Sequence, residues 1–185
     1  MSEAFIFRDV KAASAEILPE GIFIMLINAC DRPPHLALLT GSKIYALSAK
    51  GRQVMFPLEK QLRLIKSRKI KSLFIKLSNN IYISDNQLFK KAENSVLLYE
   101  KAAPGIATCL SPVKLFCASV FGVDVSGVNF IFDLLPLLQK DNLVSGYYHF
   151  WMEDVLIGGN FHFQKYTMQD IYESIRRMEP HEIIA

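Results

Sequence analysis

The chain has 185 residues, 51% of them apolar, with 21 Lys and Arg against 18 Asp and Glu and a net charge of +3. That length suits one domain with a sizeable core, and the composition excludes a disordered chain. The small net charge gives no argument for nucleic acid, and the longest apolar runs, such as Gly21 to Ala29, are too short to cross a bilayer.

The N-terminus carries acidic residues (Glu3, Asp9) where a signal peptide needs basic ones. Cys30, Cys109 and Cys117 are too few and odd in number for a disulfide framework. Together these features predict a reduced, soluble, cytoplasmic protein.

Residues 1–20 read as an entry segment with a short strand at Phe5–Phe7. Ile22–Ile27 is a continuous apolar run between Gly21 and Asn28, the pattern of a buried strand. Cys30-Asp31-Arg32-Pro33-Pro34 is a loop, because proline removes ladder donors. His35–Thr40 and Lys43–Ser48 flank Gly41-Ser42 and predict a tight hairpin, which Lys50-Gly51-Arg52 closes. Pro57–Ser67 predicts a helix with Leu58, Leu62 and Ile65 on one face and Lys60, Arg63 and Lys66 on the other. Ser72–Leu77 is a further strand, Asn79-Asn80 a turn, and Ile81–Ile83 a short extended piece.

Ser84 and Gln87 stand three apart, as in a capping box. The helix they open is expected to reach about Ala102, with Leu88, Val96 and Tyr99 inward, before Pro104-Gly105. Val128–Leu138 is expected to be helical, with Pro136 breaking or ending it. Tyr147–Trp151 and Phe161–Gln164 flank Gly158-Gly159-Asn160, a strand–turn–strand signal. Thr167–Met178 predicts a last helix, with Thr167 as cap and Asp170 in the capping-box position. There is no repeat, low-complexity tract or linker, so residues 1–185 are read as a single domain.

One stretch carries chemistry. In Cys109-Leu110-Ser111-Pro112-Val113-Lys114 and the residues up to Gly122, Ser111 suits a cap and Pro112 the first helical position. Val113, Phe116, Cys117 and Val120 repeat at helical spacing, and Gly122 suits the stop. Cys109 thus falls at a helix mouth, where free N–H groups and the helix dipole lower a thiol's pKa. The plainer reading is a buried small hydrophobe, and Cys117, on the apolar face, is read as core. Cys30 is read as a passive loop residue; with His35 it lacks the ligand set of a zinc site.

His149 and His162 alternate with aromatics and are read as surface or edge residues, His181 as solvated, and no metal or cofactor is expected. Lys60, Arg63, Lys66, Arg68, Lys69, Lys71 and Lys76 form the one basic cluster, read first as a solvated helix face running into an edge strand. Contact with an anionic membrane surface through Lys60, Arg63, Lys66, Arg68 and Lys69 is the sharper reading; no nucleic-acid motif accompanies the cluster, so nucleic acid is not expected.

The order of these elements resembles the circularly permuted branch of the NlpC-type papain-like cysteine hydrolases, which includes lecithin retinol acyltransferase-like proteins. The resemblance rests on Leu18-Pro19-Glu20-Gly21-Ile22-Phe23-Ile24, on His35 through Ala46, and on Cys109 through Lys114, with the His preceding the Cys. It spans roughly residues 18–122, leaving 123–185 as an extension whose Phe130, Phe132, Tyr147, Tyr148 and Trp151 would suit a pocket wall.

The resemblance implies an α+β fold: a central antiparallel sheet with a Cys-bearing helix packed on it. It implies Cys109 as nucleophile and His35 as base, acting on a peptide amide or a lipid-like acyl group. Two departures stand out. Pro-Glu-Gly replaces the family's Pro-Gly-Asp, and the positions matching the residue that orients the His, near Ala46 and Leu47, are apolar. Ser48 is the nearest polar substitute. The expected function is thiol-dependent hydrolysis or acyl transfer through Cys109, His35 and Ser48; the alternative is an inactive relative serving as a binding module.

Overall fold

Ile22–Ile27 (β3) lies at the middle of the molecule, and each of its neighbours follows from its lack of a polar face. In this computed structural model, which describes residues 4–78 and 82–179, β3 pairs antiparallel with His35–Thr40 (β4) on one side and Ser72–Leu77 (β7) on the other. Ile22, Ile24 and Leu26 enter one core and Phe23 and Met25 the other, since successive side chains leave opposite faces of a strand. With both faces covered, a continuous apolar run is the stable solution.

The sheet extends outward from β3. Lys43–Ser48 (β5) pairs with β4, and Gly51–Pro57 (β6) pairs with β5. On the other flank Val144–Phe150 (β8) pairs antiparallel with β7, and Lys11–Ala12 (β2) runs parallel to β8. The seven strands follow the order β2-β8-β7-β3-β4-β5-β6. Phe5–Phe7 (β1) and Phe161–Phe163 (β9) form a separate antiparallel ribbon.

Among the described residues five α-helices flank the sheet unequally. Leu58–Ser67 (α1) covers one face with Leu58, Leu62 and Ile65. Asp85–Leu97 (α2), Leu110–Phe121 (α3), Ile131–Lys140 (α4) and Met168–Met178 (α5) contribute to the larger core on the other face. Each fully buried Leu, Ile or Phe there is worth about 1.5–3 kcal/mol in area removed from water, which makes the face under α2–α5 the dominant core. The chain is therefore α+β, and among the described residues no helix is long and apolar enough to cross a membrane.

The β4–β5 turn has Gly41 at φ 54° and Ser42 at φ 62°, the left-handed pair that a two-residue hairpin needs. Gly41 is also required sterically, because a Cβ there would stand 2.2 Å from the Phe89 ring.

Several sequence expectations are corrected. The chain does not leave the sheet at Gly51-Arg52 but returns as β6, an edge strand whose exposed Arg52 and Gln53 hide its pattern. α2 stops at Leu97, where the Tyr99 N–H turns back to the Val96 carbonyl and Ala102 reaches the carbonyl of Ser48. Pro136 sits inside α4 without ending it.

β8 and β9 are not a hairpin; each finds an earlier partner, β7 and β1. β7 is not an edge strand, since β8 covers it. The Asn79-Asn80 turn, the start of the extended piece at Ile81, and His181 lie outside the described residues.

Candidate functional site

Cys109 is the residue at which α3 begins. The capping differs from the expectation. Ser111 does not cap the helix; the Thr108 hydroxyl accepts the Leu110 N–H at 3.2 Å, and Ser111 Oγ accepts the Thr108 N–H at 3.0 Å. Thr108 precedes the N-cap position, which Cys109 holds without a side-chain cap of its own. Gly122 ends α3 in the left-handed conformation at φ 69°, as its position suggested. Cys117 is fully buried on the inner face of α3, and burial pushes its thiol up to about 12.

α3 packs on the side of the sheet to which Leu36 and Leu38 of β4 and Tyr45 and Leu47 of β5 belong. The β4–β5 ladder begins only at Ala37–Ala46, so the strands are unpaired at His35 and Ser48. The Cys109 thiol occupies this end. Burial raises its pKa above the ordinary thiol value, and the N–H groups of Leu36, Cys109 and Leu110 turned toward the sulfur oppose that rise. Burial is the larger effect, so the thiol is held neutral.

The three residues singled out for catalysis line one cavity. His35, Ser48 and Cys109 surround it together with Pro33, Pro34, Leu47 and Ala49, and α5 closes it with Ile171, Ser174, Ile175 and Met178. Its volume is about 40 Å³, above the ~10–15 Å³ that a single water needs. A second cavity of about 200 Å³ lies on the other side of the α3 mouth, lined by Thr108, Leu110, Ser111, Lys114 and Asn129, with Met168 and Tyr172 of α5. α5 therefore walls both spaces around Cys109. Phe130, Phe132, Tyr147, Tyr148 and Trp151 line neither.

Convergence on a cavity is not yet a catalytic pair. Among the described residues no hydrogen bond joins the Cys109 sulfur to His35. Strand alternation gives His35 the parity of Ala37 and Leu39, which face α1, so it borders the cavity from the end of β4. Burial lowers the His35 pKa below its ordinary value, keeping the imidazole neutral. The Ser48 hydroxyl is used by the β5–β6 turn: it donates to the Gly51 carbonyl at 3.2 Å and accepts from the Lys50 N–H at 3.2 Å. Ala46, by the same alternation, lies on the α1 side and is buried.

One neighbour was not visible in the sequence. Tyr166, buried just after β9, lies near Cys109; burial raises its phenol strongly, and a thiolate at Cys109 adds to the rise. No periodicity or motif marks Tyr166.

The other candidates fall elsewhere. His149 is buried rather than at the surface, and its Nδ1 accepts the Met152 N–H at 3.3 Å. His162 is exposed on the β1–β9 ribbon, so the two histidines share no face. Cys30 is exposed and lies near Lys71 and Asp154. Among the described residues no group of His, Cys, Asp and Glu could hold a metal ion. Set against protein-family models, curated proteins and solved structures, the chain matches none of them.

Proposed function

We propose that this chain is a permuted papain-like module that performs thiol-dependent hydrolysis or acyl transfer on an amide or ester bond. The observation that carries the reading is the convergence of Cys109, His35 and Ser48, from three separate segments, on one cavity at the mouth of α3. In the reaction His35 removes the Cys109 proton and the sulfur attacks the carbonyl carbon. The Cys109 N–H, at the helix N-terminus, faces the oxyanion. Collapse of the tetrahedral adduct leaves a thioester and expels an amine or alcohol, which takes the proton from His35. Water or a second acceptor then cleaves the thioester. The cavity is small, about 40 Å³, and α5 forms one of its walls, so substrate approaches beside α5. The substrate class is a peptide amide or lipid-like acyl group, and the compartment is the cytoplasm.

Specific observations favour a second reading, a catalytically silent binding module. The thiol is neutral, the Ser48 hydroxyl is engaged in a turn, and Ala46 and Leu47 are apolar where an orienting residue belongs. Intact-mass spectrometry after incubation with p-nitrophenyl acyl esters separates the two. An enzyme forms an acyl adduct on Cys109 that turns over, disappears in Cys109→Ala and slows at least tenfold in His35→Ala. Absence of an adduct, or an adduct indifferent to His35, supports the binding module.

A further inference from the structure

We infer that the sheet face bearing α1 is a docking surface for an anionic lipid bilayer. α1 covers only part of that face. Beside it Tyr148 and Phe150 of β8 are half-exposed, and Trp151, the next residue, is 37% exposed. Cations surround these rings: Lys66 Nζ lies 6.0 Å from the Phe150 centroid, Lys69 Nζ 5.6 Å from Trp151 and Lys76 Nζ 6.0 Å from Phe23. Phe23, itself buried, meets Tyr148 edge-on at 6.4 Å and ties the Lys76 contact to the half-exposed rings.

The charge on this surface is one-sided. From Leu58 to Lys71 the chain carries Lys60, Arg63, Lys66, Arg68, Lys69 and Lys71, against Glu59 alone. Glu59 is bonded to Arg63, and Asp154, near the rim, to Lys71 at 2.6 Å. Glu153, next to Asp154 in the chain, and Asp31, which neighbours Cys30 together with Lys71 and Asp154, are further carboxylates on that flank. Lys60, Lys66, Arg68 and Lys69 are in no salt bridge among the described residues. Leu64, 40% exposed, stands at the edge of the cationic helix face, one turn after Lys60, where an apolar side chain adds nothing to solubility.

Basic residues are drawn to the negative surface of an acidic leaflet, and Trp with interspersed apolar groups settles at headgroup depth. A bilayer uses every part of this surface: cations for phosphate headgroups, Trp151 and Leu64 for the interface. Single-stranded nucleic acid would use the ring faces for stacking, but lysines already lie over Phe150 and Trp151. Leu64 has no role with a phosphate backbone. The surface is on the opposite side of the sheet from α3, so it stands independently of any chemistry at Cys109.

Trp151 is the only tryptophan in the chain and reports the event directly. The test is co-sedimentation with vesicles of phosphatidylcholine containing about one third phosphatidylserine, alongside pure phosphatidylcholine and a single-stranded oligonucleotide. The expected result is binding to the acidic vesicles only, weakening with salt, with a blue shift of Trp151 emission. Lys66→Gln with Lys69→Gln, confirmed folded by circular dichroism, is expected to lose at least tenfold in partitioning. Leu64→Gln, with charge unchanged, is expected to bind more weakly and to reduce the blue shift. No binding at low salt, equal binding to neutral vesicles, unchanged partitioning in the Gln variants, or tighter binding to the oligonucleotide overturns the proposal.

Discussion

The Cys109 sulfur is approached by the backbone N–H of Leu36, while no hydrogen bond links it to the imidazole of His35, one residue earlier in the same strand. Alternation gives Leu36 the side of β4 that meets α3. His35, at the strand's end, shares the parity of Ala37 and Leu39 yet still lines the cavity that Cys109 lines. Both groups are held neutral at rest, and α5 lines the cavity they share.

Alkylation by iodoacetamide should follow the environments of the three thiols. Cys30, exposed, reacts first; Cys109 reacts slowly below pH 9 because burial keeps it protonated; Cys117 stays unmodified in the native protein. Ile175→Ala, which trims the roof of the cavity, should raise the Cys109 rate severalfold at a stability cost of about 2 kcal/mol. Peptide mapping by mass spectrometry reads all three. An unchanged Cys109 rate would mean that α5 is not the barrier.

Stability should fall as pH drops below neutrality, and His35 should contribute. Its folded pKa is lowered by burial, so between that value and the unfolded value of about 6.5 the unfolded chain binds more protons. The stabilisation is complete above about pH 6.5 and is lost as pH falls through the folded pKa. Thermal melts from pH 8 to pH 5 should show a shallower loss in His35→Gln. Identical slopes in both proteins would show that other groups carry the acid sensitivity.

Gly41→Ala should destabilise the hairpin by about 2 kcal/mol or more, since a left-handed conformation and a ring contact are imposed together. Gly158→Ala provides the comparison: its φ is 56°, yet nothing lies within 4 Å of the added Cβ. Its cost should stay near the ~1–2 kcal/mol of the backbone term alone. Urea denaturation of both variants isolates the Phe89 contact as the difference.

Tyr45→Phe should be neutral or stabilising by up to about 1 kcal/mol, because a buried hydroxyl without a partner pays its desolvation for nothing. Tyr45 Oη is the buried side-chain oxygen that lacks a hydrogen bond among the described residues. A loss above 1 kcal/mol in urea denaturation would reveal a partner for it.

Where a local rule sufficed, the reading from sequence and the structure agree closely. β3, β4, β5 and β7 match the expected spans, because Ile22–Ile27 and the Gly41-Ser42 hairpin each carry their signal within a few residues. The Ser84–Gln87 and Thr167–Asp170 capping boxes form with the expected bonds. Local rules failed where another segment decided the outcome. β6 is held by β5, and β9 pairs with β1 across the length of the chain rather than with β8. His149 is buried because β8 became an inner strand between β7 and β2.

The same division holds for the candidate site. The residue types and their order, a His opening a strand and a Cys opening a helix, are written in the chain itself, as is the basic face of α1. Helical and strand periodicities depend on neighbours a few positions apart, which is why they are legible there. Only the tertiary structure decided that β4 and β5 part at His35 and Ser48, that Cys109 faces Leu36, that Tyr166 stands nearby, and that α5 roofs the cavity. Each of those depends on contacts between distant segments, where burial and packing choose among partners that local patterns leave equivalent.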